Sequence, residues 1–125
     1  MITRRKKNNN FTVLDNKTIK DPALSWKATG LLCYLLSLPD NWKVISEHLA
    51  SVKTDGITVV RSSLSELEEA GYIRRYRVQI KGIPVYVCDI AEYPYDFPEK
   101  ADEEALVSSD FPISEVSYFM EDITL

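Results

Sequence analysis

The sequence predicts an α+β fold, because two short helical patterns, a glycine stop and a basic hairpin pattern follow one another between Trp42 and Tyr86. That order is typical of a winged helix-turn-helix, which has three helices and a β-wing of two or three strands. The 125 residues, 45% of them hydrophobic, suffice for one such domain. We expect a basic N-terminal arm over residues 1–10, a winged helix-turn-helix domain over 11–92 and an acidic tail or docking segment over 93–125.

A short strand, Phe11 to Leu14, and a long helix are predicted at the start of the domain. Ser25 is a typical N-cap for this helix, since its hydroxyl can accept an unpaired amide of the first turn. Apolar residues then recur at spacings of three and four, which predicts one broad buried face. The residues of this face are Leu24, Ala28, Leu31, Leu35 and Leu38. We expect Trp26 and Trp42 to pack against this scaffold rather than to contact a ligand.

A second and a third helix are predicted on either side of an Asp55-Gly56 turn. Ser46 is a candidate N-cap for a short helix from Glu47 to Ser51. The third helix starts after the turn and ends at Gly71, which tolerates the left-handed backbone of a C-cap. Its apolar face consists of Ile57, Val60, Leu64 and Leu67. In a helix-turn-helix this would be the recognition helix.

Small polar residues and one arginine share another face of the third helix. They are Thr58, Arg61, Ser62 and Ser65. All four can hydrogen-bond to phosphates or base edges. Residues 57–65 contain no acid, and acidic residues begin only at Glu66, so we predict that the N-terminal half of this helix faces DNA. The alternative interpretation is an ordinary solvated helix face.

The predicted wing is a β-favouring run from Tyr72 to Ile80, a Lys81-Gly82 turn and a return strand from Val85 to Val87. Four basic residues lie on this ribbon, and no acid occurs between Gly71 and Tyr86. The basic residues are Arg74, Arg75, Arg77 and Lys81. Such a ribbon can lie along phosphates. The alternative is an exposed edge strand that is protected from aggregation by its charges.

Charge is distributed unevenly along the chain. Residues 1–87 contain 14 Lys and Arg against 8 Asp and Glu, whereas residues 88–125 contain one Lys against 11 acids. A basic body attracts nucleic acid, and an acidic tail can compete for the same surface or bind a basic partner. The N-terminal arm holds Arg4, Arg5, Lys6 and Lys7. These basic side chains can enter a minor groove of DNA or follow its phosphate backbone, although simple solvation explains them equally well.

Several classes of function are disfavoured by the sequence. Cys33, Cys88 and His48 show no zinc-ligand spacing, and two isolated cysteines fit a reducing cytoplasm. No nucleophile elbow or glycine-rich phosphate loop is present. The longest apolar run is too short to span a membrane. We therefore expect a cytoplasmic protein that has no cofactor or metal, does not contact membranes and is not an enzyme.

The C-terminal residues combine acids with apolar and aromatic side chains. Residues 93–109 read as a linker, and apolar content returns after it. The candidate partner-binding residues are Phe111, Ile113, Tyr118, Phe119 and Met120. This segment can bind a groove of a protein partner or fold back and shield the DNA surface. A disordered, solubilising tail is the alternative.

Three stretches resemble a known family: Leu24 to Leu32, Leu36 to Lys43 and Glu66 to Ile73. They are similar to the winged-helix N-terminal domain of phage and bacterial replication initiators of the DnaD or replisome-organiser type, over roughly residues 11–94. The resemblance implies a winged-helix fold and a role in DNA replication. In that family a second domain generally follows and engages the replication machinery, whereas here only the acidic tail follows.

Two hypotheses on function follow from these patterns. The first is a protein of a phage or mobile element that binds double-stranded DNA, as a replication initiator-like factor or a transcriptional regulator. The alternative is a phage-type inhibitor or adaptor, similar to anti-CRISPR proteins, whose acidic C-terminal segment binds a host protein while the winged helix serves as scaffold or autoregulator. Winged helices often bind paired half-sites as dimers, so a homodimer is left open.

Overall fold

Four helices and one antiparallel hairpin make up the described part of the chain in a computed structural model, which describes residues 10–38 and 46–100. The predicted α+β class is confirmed. The helices are α1 (Asn16–Ile19), α2 (Trp26–Leu36), α3 (Ser46–Val52) and α4 (Ile57–Glu69), and the strands are β1 (Ile73–Ile80) and β2 (Ile83–Ile90).

The strand expected over residues 11–14 is not formed. Phe11 and Val13 are 53% and 79% exposed, and in the described part of the chain β1 and β2 pair only with each other. A strand without a neighbouring strand or a buried face has nothing to stabilise it. The chain instead enters α1, whose N-cap Asp15 accepts the backbone N–H of Lys17 at 2.8 Å.

Helix α2 begins as predicted, because the Ser25 hydroxyl accepts the backbone N–H of Ala28 at 3.2 Å. Ala28 and Leu35 of the predicted apolar face are buried, and so is the neighbouring Leu32. The other residues of that face, Leu24, Leu31 and Leu38, are partly buried. The expectation that Trp26 packs in the scaffold is wrong, since this side chain is 93% exposed. Trp26 precedes Ala28 by two residues, about 200° around the helix, and therefore points away from the core.

Helix α3 includes Ser46, which was expected to be the N-cap and is instead a buried residue of the first turn. Helix α4 buries Val60, Leu64 and Leu67, as predicted, and also Ser63, whose hydroxyl donates to the Val59 carbonyl at 2.7 Å. That bond explains why a polar residue is tolerated on the buried side, since a buried hydroxyl needs a partner.

Gly71 ends α4 in the left-handed conformation, with φ of +87°. The backbone N–H of Tyr72 donates to the Leu67 carbonyl at 2.9 Å, and the N–H of Gly71 donates to the Glu68 carbonyl at 3.2 Å. This pair of bonds is a Schellman motif, which satisfies carbonyls that the helix leaves unpaired. The predicted helix stop at Gly71 is confirmed.

The hairpin pairs Ile73 with Ile90 at its base and Ile80 with Ile83 at its tip. Lys81 and Gly82 form the turn, as predicted, and both have positive φ, +51° and +79°. Two-residue turns of this kind match the twist of the flanking strands. The return strand is longer than the predicted stretch from Val85 to Val87.

The hydrophobic core lies between α2, α4 and the start of β1, and α3 adds Leu49. Its buried members are Ala28, Leu32, Leu35, Leu49, Val60, Leu64, Leu67, Tyr72 and Ile73. Glu92 joins the two ends of the domain. Its carboxylate accepts the backbone N–H of Asp15 at 2.6 Å, and its backbone carbonyl accepts the Thr18 hydroxyl at 2.7 Å. Among the described residues, every helix is too short or too polar to cross a membrane.

Candidate nucleic-acid interface

The outward face of α4 carries three small polar side chains. Thr58, Ser62 and Ser65 are exposed, and they lie opposite the buried stripe of Val60 and Leu67. No acid interrupts the helix before Glu66. Hydroxyl groups in this position can donate to phosphate oxygens and can donate to or accept from base edges.

Arg61 lies on the α3 side of that face and is only partly accessible. Its Nη2 is 3.1 Å from the Glu47 Oε1, and its side chain is 35% exposed. The Nε atom of Arg61 is buried and has no hydrogen-bond partner among the described residues. Glu47 therefore holds this guanidinium against α3 and offsets its charge.

Lys27 adds a positive charge on the α2 side of the same face. Its Nζ donates to the Ser62 hydroxyl at 2.8 Å. The two residues are 35 positions apart and meet only because α2 packs across α4. Sequence reasoning missed Lys27, since no local pattern links it to the third helix.

Arg74 and Arg75 of the predicted wing are paired with acids among the described residues. Both Oε atoms of Glu68 accept from Arg75, at 3.1 Å each, and the Arg75 side chain is 16% exposed. Arg74 forms an ion pair with Asp89, which faces it across the hairpin. These acids lie before Gly71 and after Tyr86, so the acid-free stretch between them gave a misleading impression of available charge.

Arg74 also contacts the residues that follow the hairpin. Its guanidinium carbon is 4.9 Å from the centre of the Phe97 ring and 5.2 Å from that of Tyr76, and its Nη2 donates to the Pro98 carbonyl at 2.8 Å. Lys100 lies 5.4 Å from the Tyr76 ring. Contacts with the domain therefore continue past residue 92, where the tail was predicted to begin.

Arg77 and Lys81, the other two predicted wing bases, are exposed. Arg77 and Arg75 alternate with Arg74 and Tyr76 along β1 and therefore lie on the opposite face of the ribbon. Lys81 is at the hairpin tip. The hairpin thus places Arg77 on the face that it shares with Arg75, and Lys81 at the tip.

Three carboxylates near the helices have lowered pKa values. The backbone N–H of Ser25 and its hydroxyl lower the pKa of Glu66, and the Tyr72 hydroxyl lowers that of Asp21. The backbone N–H of Lys17 lowers the pKa of Asp15. Each carboxylate accepts a structural hydrogen bond. These groups hold the fold together rather than form a reactive cluster.

The described residues contain no group of His, Cys, Asp and Glu that could hold a metal ion, and Cys33 and Cys88 are not joined in a disulfide. The predicted arm bases lie outside the described residues, as do the predicted partner-binding residues. They are Arg4, Arg5, Lys6, Lys7, Phe111, Ile113, Tyr118, Phe119 and Met120. Comparison with family models, curated proteins and solved structures finds no match for this chain.

Proposed function

We propose that this chain binds double-stranded DNA as a winged helix-turn-helix protein, with α4 as the recognition helix and the β1–β2 hairpin as the wing. One observation carries the proposal. The exposed hydroxyls of Thr58, Ser62 and Ser65 share one face of α4 ahead of its first acid, Glu66, and the Lys27 ammonium lies 2.8 Å from one of them. The N-terminal half of a recognition helix typically contacts base edges in the major groove.

The start of α4 also favours an anionic ligand. Gly56, its N-cap, provides no side-chain hydrogen bond, and the first turn contains no acid. The N–H groups at the start of a helix lack intrahelical partners, so a phosphate oxygen is a suitable acceptor for them. Arg77 and Lys81 of the hairpin would contact DNA phosphates next to the groove that α4 occupies.

The arginine pairs set limits on which residues contribute. Arg74 and Arg75 are neutralised by Asp89 and Glu68, so they add little attraction for phosphate in this conformation. Arg61 contributes to base contacts only once Glu47 releases it. The proposed contact set is therefore Lys27, Thr58, Ser62, Ser65, Arg77 and Lys81, to which Arg61 is added upon binding.

The resemblance to replication initiators supports a role at a replication origin or an operator of a phage or other mobile element. A second candidate function is an inhibitor or adaptor whose acidic C-terminal segment binds a host protein. The ion pairs of Arg74 and Arg75 favour this alternative, because they leave the wing with less positive charge available than its sequence suggests. The binding experiment below identifies the recognised sequence and shows whether one or two copies of the chain bind it.

The test is selection from a random duplex pool with the full chain, followed by titration of the enriched duplex at several salt concentrations. Lys27→Ala and Arg77→Ala should each weaken DNA binding. Each should also make the slope of log K against log salt concentration shallower by about one unit, as expected for one lost phosphate contact. Lys20→Ala removes an equal charge from the exposed end of α1 and should leave the slope unchanged. Ser62→Ala should relax the selected sequence.

Glu47→Gln is a further arm of the same experiment. It removes the charge that holds Arg61, so DNA binding should become tighter while the fold is retained. Absence of duplex binding by the native chain at low salt would reject the proposal. Equal effects of Lys27→Ala and Lys20→Ala would show that the α4 face is not the contact surface.

A further inference from the structure

An apolar groove of about 360 Å³ lies between α2, α4 and the end of α3. Its apolar lining is formed by Trp26, Leu31, Tyr34, Val52, Val59 and Val60. Trp26 is 93% exposed, and Val52 and Val59 are 40% and 37% exposed. Large apolar side chains are normally withdrawn from water, and several of them around one groove mark a binding surface.

The rim of this groove is positively charged. Lys27 and Lys53 lie among the lining residues, where Asp55 is the one acid. A ligand that combines apolar side chains with negative charge therefore suits the groove.

Residues 101–125 of the same chain have that chemistry. They contain seven Asp and Glu and no Lys or Arg. Val116, Phe119, Met120 and Ile123 follow the spacing of three, four and seven by which an amphipathic helix fills a hydrophobic groove. Glu115 and Asp122 fall outside this apolar stripe and are available to the lysines on the rim.

The connection is long enough. Lys100 contacts the hairpin at Tyr76, and ten residues separate it from Phe111. Ten extended residues span about 33 Å. A domain of this size has a radius of gyration of about 12 Å, so this reach is comparable to its diameter. The segment can therefore reach the groove within its own chain.

We infer that residues 111–125 bind in this groove of their own chain, with Phe119 and Met120 against Trp26 and with acidic residues beside Lys27 and Lys53. The C-terminal segment is then an intramolecular ligand of the α2–α4 surface. This inference does not depend on DNA binding, although the bound segment would lie beside Ser62 and Lys27.

Trp26 provides the readout. In full-length chains that carry Trp42→Phe, Trp26 is the single tryptophan. With the segment bound, acrylamide should quench its fluorescence weakly and its emission should lie at short wavelength. Phe119→Ser combined with Met120→Ser should raise the quenching constant several-fold and shift the emission to longer wavelength. Leu106→Ser combined with Val107→Ser makes the same kind of change in the connection and should have no effect.

Two further measurements make the test decisive. Lys53→Glu should raise the quenching constant without any change in the tail, because it places a negative charge at the rim. The indole N–H resonance of Trp26 in the chain with native Trp42, assigned with Trp26→Phe, should shift in the Phe119→Ser, Met120→Ser variant. That readout does not require the Trp42 substitution.

High quenching in every variant would overturn the inference, since the groove would then be open to solvent. Protection that increases with protein concentration would also overturn it, because the occupant would be the segment of a second copy. Protection that is independent of concentration and is lost in both the tail and the Lys53→Glu variants would support it. No DNA is present, so the result is separate from that of the binding experiment.

Discussion

The Glu66 carboxylate accepts the backbone N–H of Ser25 at 2.7 Å and its hydroxyl at 2.8 Å. In a capping box the acid comes from the third residue of the same helix. In α2 that position is Ala28, and the acid is supplied by α4, 41 positions along the chain from Ser25. The start of the scaffold helix is thereby fixed to the proposed recognition helix.

Glu66→Ala should lower the free energy of unfolding by about 1 to 2 kcal/mol, because it leaves the partly buried amide of Ser25 without its acceptor. Urea unfolding followed by circular dichroism measures this change. Glu69→Ala is the matched control, since Glu69 is exposed at the end of the same helix and should change stability little. Equal losses in the two variants would contradict the role given to Glu66.

The same contact should make stability depend on acid pH. The Ser25 amide lowers the pKa of Glu66 below its ordinary value of 4.5. A group with a lowered folded-state pKa stabilises the fold above its unfolded pKa, and this contribution is lost as the pH falls through the folded value. The stability difference between the native chain and Glu66→Gln should therefore shrink below pH 4.5. Asp15 and Asp21 titrate in both proteins and cancel from the difference.

Tyr72 should resist ionisation. Burial, followed by its hydrogen bond to Asp21, raises its pKa from 10.0 to about 12. Because the folded pKa is the higher one, the associated stability is present below pH 10 and is lost as the pH rises towards 12. Tyr72→Phe should cost about 1 kcal/mol at neutral pH. It should also remove the tyrosinate step near pH 12 from an ultraviolet titration.

Local signals account for the parts of the fold that the sequence predicted. Ser25, the glycine stop at Gly71 and the Lys81-Gly82 turn act through bonds within a few residues, so their chemistry can be identified without knowledge of the packing. The buried stripe of α4 follows from helical periodicity for the same reason.

The contacts that decide the candidate site are tertiary and had no such signal. Lys27 meets Ser62 only because two helices cross. Glu68 and Arg75 are seven residues apart and form a pair because Gly71 turns the chain back between them. The exposure of Trp26 depends on which side of α2 faces the core, and a large aromatic residue beside an apolar stripe was wrongly assigned to that core.

Gly71→Ala should be much more damaging than Gly82→Ala, although both glycines have positive φ. A left-handed conformation costs an L-residue about 1 to 2 kcal/mol at either site. A Cβ on Gly71 would in addition lie 2.7 Å from the Tyr95 ring, whereas one on Gly82 would meet nothing within 4 Å. Thermal unfolding of the two variants measures the difference. Placing Gly71→Ala in a Tyr95→Ala background should remove the excess, and an unchanged excess would mean that Tyr95 does not cause it.

Arg74 and Phe97 should be energetically coupled, because the guanidinium lies 4.9 Å from the ring centre and holds the residues after the hairpin on β1. Single substitutions are ambiguous, since Arg74→Ala also leaves Asp89 without its partner. A double-mutant cycle of Arg74→Ala with Phe97→Ala cancels that loss and should give a coupling of about 0.5 to 1 kcal/mol. The control cycle pairs Phe97→Ala with Arg77→Ala, which lies on the opposite face of β1, and should be additive. Additivity in both cycles would show that the Arg74–Phe97 contact does not hold the residues after the hairpin on β1. Their attachment to the domain would then depend on the contact of Tyr95 with Gly71.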